Sequence, residues 1–302
     1  MTLLNSLESS FVHARLPRAG LGNKLIVWAN ALVYARTHRL PLYVSNWISP
    51  QLTPFLRSGD LRWYGNYFKH VDEIGFFRRL ALRDNFAVAE PEISVAPVAN
   101  TTYRFEVLSH WSDHFLHFKT QRTLVNDSLL AMLSEARQKE IAGAQCSEIC
   151  VQVRLGDFAP LAAGADFAKV GATRTPLRYF IDLVEKIQAA AGKPLTVAVF
   201  SDGTRAELEE LLAVPNTVLS PKRTAIADIF IMSKAKILIL SAGSTFGAWA
   251  GLLGDCAVIT HPDHTHQSIR DAKTNERLFE GKVSGPMADW PKEFIAAINA
   301  LV

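Results

Sequence analysis

The sequence predicts an α/β protein built as two halves, each around a parallel sheet. Three observations carry that prediction. Short β-branched runs alternate with amphipathic helical stretches, most regularly from residue 149 onward. Segments rich in Gly, Ser and Asp follow the strands, where an open parallel sheet carries its ligand loops. The length of 302 residues suits about two domains, and 49% hydrophobic with 20% charged residues suits a sizeable core.

In the first half, Phe11 to Leu16 reads as a strand. Gly22 to Thr37 reads as a helix with Leu25, Trp28, Ala29, Leu32 and Ala35 on one stripe. Leu42-Tyr43-Val44 and Tyr103 to Leu108 read as further strands, whereas residues 45–100 show weak periodicity. A break near Gly143-Ala144-Gln145 separates the halves.

Ile149 to Arg154 then reads as a buried strand. Thr175-Pro176 opens a helix with Thr as N-cap and Pro at the first helical position, and Gly192 ends it. Leu195 to Phe200 is the next strand, and Thr204-x-x-Glu207 is a capping box opening a helix to about Leu212. Thr217 to Leu219, Lys236 to Ser241 and Ala257 to Thr260 read as strands. Ala225 to Ala235, Thr245 to Leu253 and Trp290 to Val302 read as helices.

Composition narrows the function. With 32 Lys and Arg against 29 Asp and Glu, the net charge is +3, too balanced for binding mainly through nucleic-acid phosphates. Three cysteines exclude a disulfide scaffold, and Cys146, Cys150 and Cys256 lack a zinc spacing, which favours reduced thiols in a cytoplasmic protein. The opening residues Met1 to Glu8 have no basic region and no long apolar run, so no signal peptide is expected. Residues 237–254 carry no charge, but Gly243 and Ser244 break the run, so strand, turn and buried helix fit better than a membrane span.

Four polar segments end strands of the second half: Arg154-Leu155-Gly156-Asp157, Ser201-Asp202-Gly203, Ser241 to Thr245, and His261-Pro262-Asp263-His264. Each alone is also an ordinary turn; together they suggest one ligand site. Arg154 ends an apolar strand, where a cation is costly without an anion, and its planar fork suits phosphate. Ser244 and Thr245 begin a helix, where amide N–H groups and the helix dipole favour phosphate oxygens. The plainer alternatives are an Arg154–Asp157 ion pair and a simple helix cap. Gly20-Leu21-Gly22-Asn23 lies between the first strand and first helix without the third glycine of a dinucleotide fingerprint. Its Asn23 either reaches a ligand or caps the helix. Two histidine groups, His110, His114 and His117 and then His261, His264 and His266, lack supporting carboxylates or thiols, so no metal site is expected. The first group is expected near the cleft between the halves.

At these residues the chain resembles the alpha-1,2-fucosyltransferase family and its wider superfamily. Gly20-Leu21-Gly22-Asn23-Lys24 resembles the family's Gly-x-Gly-Asn-Gln, and Trp111 to Phe115 its Trp-Gln-Ser-Glu-Lys-Tyr-Phe. Val151 to Phe158 resembles His-x-Arg-Arg-Gly-Asp-Tyr, and Phe200 to Gly203 resembles Phe-Ser-Asp-Asp. Asp228 to Ser233 and Ser244-Thr245-Phe246 resemble Asp-x-x-x-Met-Ser and Ser-Ser-Phe-Ser-Trp-Trp-Gly. Departures are Gln152 for His, Leu155 for Arg, Gly203 for Asp, and Gly247 and Ala248 for Ser and Trp.

The resemblance implies a GT-B type fold, two Rossmann-like domains with parallel sheets facing a central cleft. Residues 1–145 would form the acceptor-side domain, 146–285 the nucleotide-sugar domain, and 286–302 a helix packing back on the first. It implies an inverting enzyme that transfers fucose from GDP-fucose, its donor substrate, to a glycan hydroxyl without metal or other cofactor. Arg154, Asp157 and Asn23 would be catalytic, with Arg154 neutralising the β-phosphate. Asp157 would serve as general base, or else only orient Arg154. Gly20, Gly22, Gln152, Ser201, Asp202, Asp228, Ser244, Thr245 and Phe246 would bind substrate, with Asp202 near the guanosine. The alternatives are a GDP-binding protein without transfer activity and a transferase for another nucleotide sugar. A lipid-linked acceptor would bring such an enzyme to the inner membrane face without a transmembrane segment. No nucleic-acid partner is expected.

Overall fold

The structure, a computed structural model, describes residues 10–48, 63–69, 73–74, 87–108, 114–156, 158–162, 166, 173–263 and 268–301. These fall into two compact units, the first within residues 10–136 and the second within 137–301. Each has one parallel sheet among its described residues, as the alternation of strands and helices predicts.

The first unit holds β1 (Phe11–Arg15), α1 (Leu21–His38), β2 (Leu42–Ser45), β3 (Ala87–Ala89), β4 (Thr102–Phe105) and α2 (Arg122–Met132). Its sheet order is β2-β1-β4-β3. From Leu21 to Ala35 only Asn23 on α1 escapes full burial, so the helix is covered on nearly every side and not along a single stripe. Lys24 is buried among these residues, and its ammonium donates to the Asn46 carbonyl. The helix ends where Arg39 turns left-handed at φ 54°. β4 stops three residues short of Leu108, because Glu90 Oε1 takes the amides of Glu106 and Val107 at 2.6 and 2.8 Å.

The division between the units falls within α3 (Glu135–Ala142), ahead of the expected break at 143–145. Glu140 explains the shift. Its carboxylate accepts the Thr224 amide at 2.9 Å and the Thr224 hydroxyl at 2.7 Å, tying the helix to the second unit.

The second unit continues with β5 (Ile149–Val153), α4 (Leu177–Ala191), β6 (Val197–Ser201), α5 (Glu209–Leu212), β7 (Thr217–Leu219) and α6 (Ala225–Met232). It closes with β8 (Ile237–Leu240), α7 (Thr245–Leu253), β9 (Ala257–Thr260), α8 (Ala272–Asn275), β10 (Glu280–Lys282) and α9 (Lys292–Asn299). The order β10-β9-β8-β5-β6-β7 puts β5 at the centre with all five residues buried. That explains its nearly continuous apolar run. Ile149, Val151 and Val153 face the cluster of Phe180, Val184 and Ile187 from α4. The uncharged stretch 237–254 is β8, a turn at Gly243 with φ +68°, and α7. No helix among the described residues is long and apolar enough to cross a membrane. All three cysteines are free thiols.

Two local expectations are corrected. α4 begins at Leu177, not at Pro176, with Pro176 as its N-cap. The Thr175 hydroxyl accepts the Ala242 amide at 2.9 Å, so it serves the end of β8 and leaves the helix uncapped by a side chain. The terminal helix α9 packs within the second unit. Trp290, Phe294 and Ile298 are buried in the second unit's own core with α4. The capping box at Thr204 does form, with reciprocal bonds to Glu207 at 2.9 and 3.3 Å.

Phe294 is fully buried against Phe279 and Trp290. Phe294→Ala is expected to lower the stability of the second unit by about 3–5 kcal/mol. Urea unfolding followed by tryptophan fluorescence measures it, and a loss below 1 kcal/mol contradicts this placement of α9.

Candidate functional site

Val153 of β5 pairs with Ser201 of β6, so the next residues, Arg154 and Asp202, leave the sheet side by side at its carboxyl end. Arg154 Nη1 meets Asp202 Oδ2 at 2.6 Å, the side chains being 26% and 19% exposed. Asp202 Oδ1 accepts the Leu155 amide at 2.8 Å. Arg154 is thus paired with Asp202; Asp157, the partner weighed in the sequence, lies outside the described residues.

The same end of the sheet brings in β8. The Arg154 amide donates to Ser241 Oγ at 2.8 Å, and that hydroxyl donates to the Gln152 carbonyl at 2.9 Å. The Arg154 guanidinium lies 5.8 Å from the Phe158 ring centroid, and Phe158 borders Gly243. One residue later, Ser244 caps α7, its hydroxyl accepting the Gly247 amide at 3.5 Å. Thr245 and Phe246 follow in the first turn, both half-buried. β5 runs on to β6 on one side and neighbours β8 on the other, so this is the point where the chain order reverses. Open parallel sheets bind ligands at such points.

A cavity of about 300 Å³ opens beside the pair, lined by Leu155, Gly156, Arg174, Asp202, Gly203, Thr204 and Glu207. Arg174 and Glu207 were not expected here as site residues. Arg174 Nε donates to the carbonyls of Leu155 and Phe158 at 2.9 and 3.0 Å, and Nη1 to Glu207 at 3.1 Å. It therefore fastens the loop that carries Arg154. Its signal in the sequence is faint: a single arginine after a stretch without periodicity.

The remaining expected residues are spread differently. Ser201 Oγ accepts the Gly203 amide at 3.0 Å and shapes the turn. Gln152 is only 3% exposed, under α7, and its Oε1 has no hydrogen-bond partner among the described residues. Asp228 lies in the first turn of α6; burial raises its pKa to about 7, against the lowering by Arg223, with Glu140 adding to the rise. His261 is buried at the end of β9, its Nδ1 accepting the Asp263 amide at 3.2 Å and its ring against Tyr179. Burial lowers its pKa, which keeps the ring neutral at pH 7. Gly20, Gly22 and Asn23 belong to the first unit, where Gly20 is the N-cap of α1 and Asn23 is half-buried in its first turn. His110, Trp111, Ser112, Asp113, His264 and His266 lie outside the described residues. His117 is exposed in a turn between the buried Phe115 and Phe118.

The model of glycosyl transferase family 11 matches residues 96–278, more than half of the chain. The chain belongs to this family. It is a glycosyltransferase. The solved structure of fucosyltransferase NodZ from Bradyrhizobium aligns over 84% of this chain and 96% of its own, with 16% identity and TM-score 0.52. A structure of NodZ alpha-1,6-fucosyltransferase soaked with GDP-fucose aligns over 85% and 97%, with 16% identity and TM-score 0.50. These likenesses show the shared fold. No curated protein matches the chain.

Against the fucosyltransferase motifs quoted above, this glycosyltransferase departs at positions that touch each other. A Cβ on Gly203 would overlap the Leu155 side chain, lying 3.2 Å from its Cγ and closer still to Cδ1. A Cβ on Gly247 would lie 2.8 Å from Leu240 Cδ2 and 2.9 Å from Gln152 Oε1. Leu155 with Gly203, and Gln152 with Gly247, are thus two mutually fitted pairs.

Asp228 supplies a pH test. Its folded pKa of about 7 stands above the ordinary 3.8, so the native state binds the extra proton between those values. Its contribution to stability is present below about pH 4 and is lost as pH rises to about 7. Urea unfolding across this range should show Asp228→Asn gaining on the wild type as pH rises. A constant difference contradicts the buried carboxyl.

Proposed function

We propose that this glycosyltransferase uses GDP-fucose and transfers fucose, with inversion, to a glycan hydroxyl. The observation that carries the reading is the position of Arg154. Arg154 stands at the carboxyl end of the central strand, and its backbone amide donates to Ser241 in the loop that leads to α7. A diphosphate there would meet the Arg154 guanidinium, held by Asp202, and the amide N–H groups of a helix start.

The proposed chemistry follows from that placement. The acceptor oxygen attacks the anomeric carbon, and the bond from that carbon to the β-phosphate oxygen breaks. Its electron pair goes to the departing GDP, where Arg154 and the first turn of α7, Ser244 to Phe246, neutralise the growing charge without a metal ion. The acceptor proton passes to a carboxylate, for which Asp157 is the proposed base. The acceptor is assigned to the first unit, with Gly20, Gly22 and Asn23 serving it. An alpha-1,2 linkage is the proposed outcome. The burial of Gln152 under Gly247 supports a second reading, a different nucleotide sugar, because that pair alters a motif position assigned to substrate binding.

Calorimetric titration separates these readings. GDP and GDP-fucose are expected to bind the wild type in preference to UDP. Arg154→Ala should weaken GDP by about ten- to hundredfold, the worth of charge-assisted hydrogen bonds. Preference for UDP would select the second reading. Equal GDP affinity in the variant would overturn the phosphate site.

A further inference from the structure

Asp202 uses both of its carboxylate oxygens on consecutive residues of one strand end. Oδ2 accepts from Arg154 Nη1 at 2.6 Å, and Oδ1 accepts the Leu155 amide at 2.8 Å. The second bond fixes the carboxylate to the backbone just beyond β5, so the first fixes the guanidinium to the same frame. A bond to an amide restrains the carboxylate more tightly than a surface ion pair of two mobile side chains would be restrained.

Residue 156 makes room for this arrangement. A Cβ there would overlap Asp202 Oδ2 and stand 2.9 Å from its Cγ. Gly156 does not adopt a positive φ, so its backbone does not by itself demand glycine. The close approach of Asp202 does. Strand register, a backbone anchor and a missing side chain thus converge on the orientation of one arginine.

We propose that Asp202 is a positioning residue for Arg154: it holds the guanidinium ready for the diphosphate and does not itself touch the nucleotide. This rests on the reading of Arg154 as the β-phosphate ligand. It reassigns Asp202 from the nucleoside contact that the family resemblance implies. An arginine ordered in the folded protein loses less rotamer freedom when its ligand binds.

The test is calorimetric titration of GDP and GMP into the wild type, Asp202→Asn, Arg154→Ala, the double variant and Gly156→Ala. GMP lacks the β-phosphate. Asp202→Asn is expected to weaken GDP about tenfold and GMP less than twofold. In the Arg154→Ala background the same substitution should change GDP affinity less than twofold. Gly156→Ala keeps both charges but displaces the carboxylate, and should reproduce the loss for GDP while sparing GMP. Thermal melts identify folded variants, and either Asp202→Asn or Gly156→Ala alone suffices. A loss equal for GMP, or one that persists without Arg154, makes Asp202 a direct nucleotide contact and overturns the proposal alone. Unchanged or tighter GDP binding in Asp202→Asn also overturns it. Equal GDP affinity in wild type and Arg154→Ala brings down the phosphate reading itself, and the proposal with it.

Discussion

β5 is hydrogen-bonded on both edges and buried on both faces, and this constraint arranges the rest of the second unit. A strand so enclosed has room for a charged side chain only where it leaves the sheet. Parallel register then brings the ends of β5, β6 and β8 to the same side. Arg154, Asp202 and Ser241 become neighbours although 48 and 87 residues separate the latter two from the first. Their bonds follow from that register: a carboxylate against a guanidinium, and a serine hydroxyl against an amide.

Space near this strand end is made by missing side chains. Gly156 admits Asp202, Gly203 admits Leu155, and Gly247 admits Gln152. Two of these glycines stand where the fucosyltransferase motifs carry a larger residue, and each faces another departure. These departures from the motifs therefore fall in two contacting pairs. Closely packed interiors require such fitting, because a single added methyl group is felt.

Much of the second unit was legible because its strands are short apolar runs closed by Gly, Ser or Asp. Thr245–Leu253 and Ala257–Thr260 coincide with their sequence readings for that reason. β3 was not legible: its three residues are all exposed, so nothing in burial patterns its sequence. α2 and α3 were missed because each buries only one or two side chains. Thr175 satisfies the local grammar of an N-cap, yet a distant amide, that of Ala242, claims its hydroxyl. For Arg154 the sequence offered only the nearby Asp157 as a counter-ion, and strand pairing adds Asp202, distant along the chain. Local rules propose partners close along the chain; register chooses partners across it.

The most direct measurement is a crystal structure of the full chain with GDP bound. The β-phosphate oxygens should lie about 3 Å from the Arg154 guanidinium and from amide nitrogens in the first turn of α7. A diphosphate bound elsewhere, with Arg154 making no phosphate contact, would contradict the central assignment.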